Sequence, residues 1–336
     1  VSTLTRPKTD AVAAAPTTLR GPVRVLLRVH RRTLWGAGAV AAAAVVGMIA
    51  VALLADRFTT DFAGTGCGLD SSVQTCFQPS RDYSDQMLGL GRLLTYMGLA
   101  IIALPAVIGA FVAGPMVARE WESNTAKLSW TQSYPPSAWL TARLALPAVL
   151  VVCGITVLST VLTWSRHRLG GPYPTFWYEV SVFGASGTVP AASALLGLSI
   201  GTLAGLTLRR TVPAMAAGLF VSGLVTVVLG MLRDSLWPAM RDTFTPGDDY
   251  IWPDRAAIIG WGWETKGGDV LPANICADSA LDREVCLSES GVTHGYLDHH
   301  PASHYWPLQL VETGILLALA ALAVFAAFRV LRRLHG

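Results

Sequence analysis

Six stretches of about twenty apolar residues dominate this 336-residue sequence, and they leave few folds open to it. In a helix, about twenty such residues cross the ~30 Å hydrocarbon layer of a bilayer while every backbone polar group is satisfied within the segment. The stretches cover residues 34–55, 93–117, 144–164, 188–208, 212–232 and 308–328. Pro105 interrupts the second, which ends near Pro115; only Arg209, Arg210 and Thr211 part the fourth from the fifth, so a tight helical hairpin is predicted there. Buried core helices of a soluble protein would each carry a polar face, and these runs lack one. Composition agrees, with 52% apolar and 14% charged residues against about 25% charged in soluble domains. A net charge of +3 without a basic reading motif argues against nucleic acid as a partner. The expected fold is an all-α membrane protein with six transmembrane helices.

Positive residues stay preferentially on the cytoplasmic side of a membrane. Residues 1–33, 118–143, 209–211 and 329–336 together hold 15 Lys/Arg and 3 Asp/Glu, whereas 56–92, 165–187 and 233–307 hold 10 and 18. Both termini are therefore expected in the cytoplasm. The first run is long enough to span, so it reads as an anchor rather than a cleaved leader. Four parts follow: a cytoplasmic tail and connecting segment over 1–33, spans one to five over 34–232 with a cytoplasmic loop at 118–143, a long outer region over 233–307, and the last span with a basic tail over 308–336. A bacterial-type plasma membrane is the expected location.

Four of the five cysteines fall in outer loops, as two local pairs. In an oxidising compartment these predict disulfides Cys67–Cys76 and Cys276–Cys286. A four-cysteine metal site is the rival reading, but no CxxC spacing supports it. Cys153, in the third run, reads as a small packing residue. His294, His299, His300 and His304 match no standard zinc spacing, so no metal is expected. Trp252, Trp261 and Trp263, with Ile258 and Ile259 among them, read as an amphipathic helix dipping into the outer interface. Glu312 lies just inside the outer end of the last run, where a carboxylate needs water or a partner such as Gln309.

The cytoplasmic loop after the second run is denser in polar and aromatic residues than a plain connector. A helix is expected to leave the membrane through Arg119, Glu120, Trp121 and Glu122 and to stop near Asn124. A second short helix would carry Leu128, Trp130 and Thr131, and Ser137 would cap the helix into the third span. Upstream, Arg20, Arg24 and Arg28 recur every four residues with Val25, Leu26 and Val29 between them, the pattern of a basic helix lying on the inner membrane surface.

The run Ala-Arg-Glu-x-Glu-Ser-x-Thr-x-x-Leu-x-x-Thr-Gln-Ser, residues 118–133, resembles the cytoplasmic loop of ABC-2-type transporter permeases, especially an actinobacterial drug-export-like branch. The matching positions are Arg119, Glu120, Glu122, Thr125, Leu128, Thr131 and Gln132, with Asn124 where that family usually has glycine. The residues from His300 to Pro307 and Glu312-Thr313-Gly314 resemble the run into the family's last span. The resemblance implies the ABC-2 (type V exporter) fold, a connecting helix containing Arg20, Arg24 and Arg28, and a re-entrant element within 233–307. It also implies a coupling segment, Trp121 included, that docks onto a separate ATPase. The second copy in the assembly would be the same chain or a paralogue. The second and fifth spans would line a substrate path, making Leu99, Ile102, Pro105, Phe220 and Leu224 its candidate residues and Glu312 a candidate gate.

No GxxxxGK[ST] is present: Lys8, Lys127 and Lys266 are the only lysines, and none stands in that context. The chain is therefore not expected to be an enzyme, and ATP and Mg2+ would sit on the partner ATPase. The resemblance makes the expected function the export of an amphipathic substrate such as a drug, antibiotic, lipid or peptide. Two other classes are an ion-coupled transporter, which would usually show internal repeats and buried mid-membrane charges, and a membrane sensor or assembly protein whose long outer region binds a ligand.

Overall fold

The structure is a computed structural model that describes residues 28, 31–123, 136–170, 174–247, 250–277, 279 and 281–334. Among these, six helices are long and apolar enough to cross a membrane. α1 is Arg31–Gly64. α2, Phe77–Val107, continues through a π-helical turn, Ile108–Ala113, into α3, Gly114–Glu122; together they make the second span. α4 is Pro136–Arg168, α5 the short Val180–Phe183, α6 Val189–Leu208, α7 Thr211–Leu232, α8 the short Arg283–Glu289, and α9 Tyr305–Arg333. The six expected spans all lie within these helices. Ser137, expected to cap α4, is already helical within it.

Pro105 shapes the second span. Its ring removes the N–H that the carbonyl of Ile101 needs, and by Ile108 the amide is shared between the carbonyls of Leu104 and Pro105 before the ladder widens into the π turn. α6 is the hub: 61% of its most apolar stretch is buried, against 11–44% in the other five spans. Gly197, Gly201 and Gly205 form a stripe along it. A methyl at Gly205 would stand 2.9 Å from the Gly114 carbonyl oxygen and from Val117 Cβ, and methyls at Gly197 and Gly201 would overlap the carbonyls of Pro105 and Gly109. On α7, a methyl at Gly218 would stand 2.8 Å from the Gly109 carbonyl. The second span, α6 and α7 therefore meet backbone to backbone, the close approach that small residues allow between membrane helices.

Two side-chain clusters mark the ends of the bundle. Val117, Trp139, Leu140, Leu206 and Leu331 pack together at one end, which we call the elbow face. Phe183, Val189, Leu229 and Leu308 pack near the other, the sheet face. There α1 and α2 extend toward the Cys67–Cys76 disulfide, with Phe62 stacked on Tyr83. Both expected disulfides are present, with Cα–Cα separations of 5.5 Å for Cys67–Cys76 and 6.0 Å for Cys276–Cys286. Cys153 is free and exposed on α4 rather than packed inside.

The all-α expectation fails over 233–307. β1 (Met240–Phe244), β2 (Ala257–Thr265), β3 (Val270–Pro272) and β4 (Val292–His300) form one antiparallel sheet in the order β1-β4-β2-β3. The segment read as an amphipathic outer helix, where the resemblance implied a re-entrant element, is mainly β2: it holds Ile258, Ile259, Trp261 and Trp263, while Trp252 precedes it. A register shift between Ile258 and Gly260 breaks the strand alternation, which leaves two adjacent isoleucines exposed and imitates a helical pattern. Across β1 and β4, Arg241 donates two hydrogen bonds of 2.7 Å to Asp298 and holds that carboxyl below the ordinary aspartate range.

Candidate functional site

The polar residues that end the second span converge on the elbow face. α3 stops at Glu122, where the amide and hydroxyl of Ser123 both turn back to the Arg119 carbonyl, at 2.9 and 2.8 Å. Arg119 is exposed there. Glu120 forms an ion pair with Arg143 of α4, whose guanidinium lies 4.9 Å from the ring centroid of Trp139. Glu122 reaches across to the hairpin between α6 and α7. Its Oε1 accepts the Thr211 backbone N–H at 2.8 Å and its Oε2 accepts the Thr211 hydroxyl at 2.6 Å. A carboxylate in that place caps the first turn of α7 and meets the positive end of its dipole.

The hairpin itself is built to receive that contact. α6 ends with Arg209 in the left-handed region, φ 51° and ψ 18°, its amide bonded to the Gly205 carbonyl. A non-glycine residue held there costs of order 1–3 kcal/mol and persists where its surroundings hold it. Here the Arg209 guanidinium lies 5.2 Å from the ring centroid of Trp121, and Trp121 packs on the Val117–Leu331 cluster. The elbow is thus fastened to α4 through Glu120, to α6 and α7 through Trp121 and Glu122, and to α9 through the apolar cluster. A push on α3 reaches four other spans through these contacts and through the glycine-lined backbone contact that continues them.

Of the expected coupling residues, Arg119, Glu120, Trp121 and Glu122 meet at this elbow, whereas Thr125, Leu128, Thr131 and Gln132 lie outside the described residues. So do Arg20 and Arg24 of the connecting segment; Arg28 is helical and exposed. The expected path residues do not share one surface. Leu99, Phe220 and Leu224 are exposed on the flanks of the bundle. Pro105 is buried against Gly197, and Ile102 packs beside Gly184.

Glu312 takes Arg233 as its partner rather than Gln309. Arg233 follows α7, and its Nε and Nη2 reach the carboxylate at 3.1 and 3.4 Å, with the pair 10% and 5% exposed. Its guanidinium also lies 4.1 Å from the Phe183 ring centroid. Gln309, fully buried, donates to the carbonyls of Phe183 and Ser186 and accepts the amides of Thr188 and Val189. The fifth and sixth spans and the segment before α6 are locked together here. Two of the four histidines meet, His300 and His304 at 2.9 Å, with His300 also 3.0 Å from the Asp234 carbonyl, whereas His294 contacts Glu264 at 3.2 Å and His299 lies 3.9 Å from Asp242.

Four residues of these constellations stand out in no local sequence pattern. In the sequence Arg143 and Arg209 are positive charges next to apolar runs, Thr211 is part of a turn, and Arg233 is one charge of a long polar segment. Arg166 is a fifth: it is buried at the sheet-face end of α4, and its Nη2 donates to the carbonyls of Leu94 and Ser181 at 3.0 and 3.3 Å. Each acquires its partner from a segment distant in the chain.

No curated protein and no solved structure shows a significant match to the chain. Residues 37–233, which hold most of the first span, spans two to five, the elbow and the hairpin, match the family described as ABC-2 membrane transporter related. With six apolar helices and this match over more than half its length, the chain is a multi-pass protein of the plasma membrane and belongs to the ABC-2 membrane transporter related family.

Proposed function

We propose that the chain is the permease subunit of an ATP-driven exporter whose nucleotide is hydrolysed on a separate ATP-binding cassette subunit. The elbow face is cytoplasmic in this reading and carries both termini. Its support is the Lys/Arg excess of the loops on that side, together with two disulfides on the opposite face. The partner ATPase, with its ATP and Mg2+, grips the segment that begins at Arg119. Two copies, or one copy and a paralogue, meet through the exposed flanks of the second and fifth spans, where Leu99, Phe220 and Leu224 stand. Between them passes an amphipathic substrate, a drug, antibiotic, lipid or peptide. The observation that carries the proposal is the pair of hydrogen bonds from Thr211 to Glu122, because it joins the handle of α3 to the first turn of α7.

Movement of the ATPase then works as a lever on the hairpin. Tilting α3 displaces Glu122 and carries the start of α7 with it, while the close contact of Gly218 on Gly109 keeps the two spans moving as one. The test is ATP hydrolysis by the permease co-purified with its ATP-binding cassette subunit in lipid nanodiscs. Glu122→Gln and Thr211→Val are expected to leave the complex assembled but to lower permease-stimulated hydrolysis several-fold. Unchanged hydrolysis and transport in both variants would overturn the lever. Failure of any ATP-binding cassette subunit to co-purify would favour the sensor reading.

A further inference from the structure

The sheet carries a feature that the transport reading does not use. Five aromatic rings run edge to edge over one side of it. Phe244 of β1 stacks on Tyr250 at 4.5 Å between centroids, Tyr250 meets Trp252 at 6.3 Å, Trp252 meets Trp261 at 5.7 Å, and Trp261 meets Trp263 at 6.5 Å. The chain of rings closes where Phe244 meets Trp263 at 5.8 Å. β4 lies between those two strands, and Gly295 is the residue paired with both Phe244 and Trp263. A methyl at Gly295 would overlap the Phe244 ring, so only glycine lets the two rings meet across the central strand.

Beside this shelf lies a cleft of about 320 Å3, lined by Trp261, Trp263, Asn274, Ala277 and Arg283 and bordered by the Cys276–Cys286 disulfide. That volume is at the small end of the roughly 300–1,000 Å3 range of small-molecule sites. Trp263 is nearly buried, and its indole N–H is already used on the Ala273 carbonyl, so it offers the cleft only apolar surface. Trp261 is partly exposed. The Arg283 guanidinium lies 5.5 Å from the Trp263 ring centroid, and among the described residues no carboxylate is within 4.0 Å of it. Among the described residues the lining contains one cation and no acid.

From these observations we infer that the sheet holds a binding site for a small aromatic anion, a flat one- or two-ring body bearing a carboxylate or sulfonate. The exposed ring of Trp261 takes the flat apolar body and Trp263 gives the cleft an apolar wall beside it, since indole faces and edges pair with aromatic rings. The acid group meets Arg283, whose planar fork matches two oxygens and which indole already holds in place. A cation is disfavoured, because it would meet the like charge of Arg283. The site is independent of the coupling mechanism and stands or falls without it.

The test uses the full chain in lipid nanodiscs and needs no ATPase. Binding of naphthalene-2-sulfonate and of the uncharged naphthalene-2-sulfonamide is measured by equilibrium dialysis, with protein-free discs subtracted. The sulfonate is expected to bind saturably. Arg283→Gln is expected to weaken it about tenfold, the scale of one charge-assisted contact, while leaving the sulfonamide unchanged. Trp261→Leu is expected to weaken both. Ala277→Trp, which fills the cleft from an exposed position and leaves the shelf intact, is expected to abolish saturable binding. Absence of saturable binding to the unaltered protein would overturn the assignment, as would binding that Ala277→Trp and Arg283→Gln both leave unchanged.

Discussion

Gly218 and Gly223 lie on the same apolar helix, yet the same substitution is expected to act on them with opposite sign. At Gly223 a new methyl meets nothing within 4 Å. Alanine there gains the ordinary helix preference over glycine, about 0.5–1 kcal/mol. At Gly218 that gain also applies, but the methyl carbon lands 2.8 Å from both the carbonyl carbon and the oxygen of Gly109, where ordinary contact begins at 3.4 Å. Neither partner is the end of a flexible side chain, so α7 must retreat from the second span by about 0.6 Å. A gap of that size forfeits about a quarter to a half of each dispersion contact along the seam. Overpacking of this kind costs about 1–3 kcal/mol. Propensity cancels between the two variants, so their difference isolates the overpacking. SDS-titrated unfolding of Gly218→Ala and Gly223→Ala in mixed micelles measures it directly. Equal stabilities would refute the claim that these spans touch backbone to backbone.

Other outcomes follow from the polar contacts. Glu312→Leu or Arg233→Met alone is expected to cost about 3–5 kcal/mol, because each strands a buried charge, whereas the two together are expected to be close to neutral; additive losses in the double-mutant cycle would count against the ion pair. Asp298 has its carboxyl lowered from the ordinary 3.8 by the Arg241 hydrogen bonds, so its contribution to the sheet is present at neutral pH and is lost as pH falls below that value. The pair is largely solvent-exposed, so the effect is small. Hydrogen exchange of β1 amides, corrected for intrinsic rates, should rise from pH 6 to pH 3 in the unaltered protein. In Arg241→Gln the fast exchange should already be present at pH 6.

Properties of single segments are the ones legible in this sequence. The six spans were legible because moving a twenty-residue apolar helix from water to lipid is decided by that helix alone. The hairpin at Arg209–Thr211 was legible because so few residues leave the chain no other route, and the cysteine pairs because each closes a loop of about ten residues. Near the elbow, the charged run from Arg119 to Glu122 could be singled out from its setting after a span. What those residues touch could not.

The sheet escaped for a similar reason. β1 pairs with β4 across more than fifty residues, and the local pattern of β2 is spoiled by its bulge, so its alternation is readable only once β4 lies beside it. Glu312 has Gln309 one helical turn away but takes Arg233, 79 residues distant. Glu122 finds Thr211 across 89 residues. From the sequence alone came the number of apolar spans and the hairpin between the fourth and fifth, because each rests on transfer free energies and chain lengths local to its own segment. The tertiary structure alone decided which helix ends meet, and therefore which carboxylate caps which helix and which cation neutralises which acid. A hydrogen bond or ion pair depends on ångström-scale geometry between segments, and one chain segment carries no record of its distant neighbour's position.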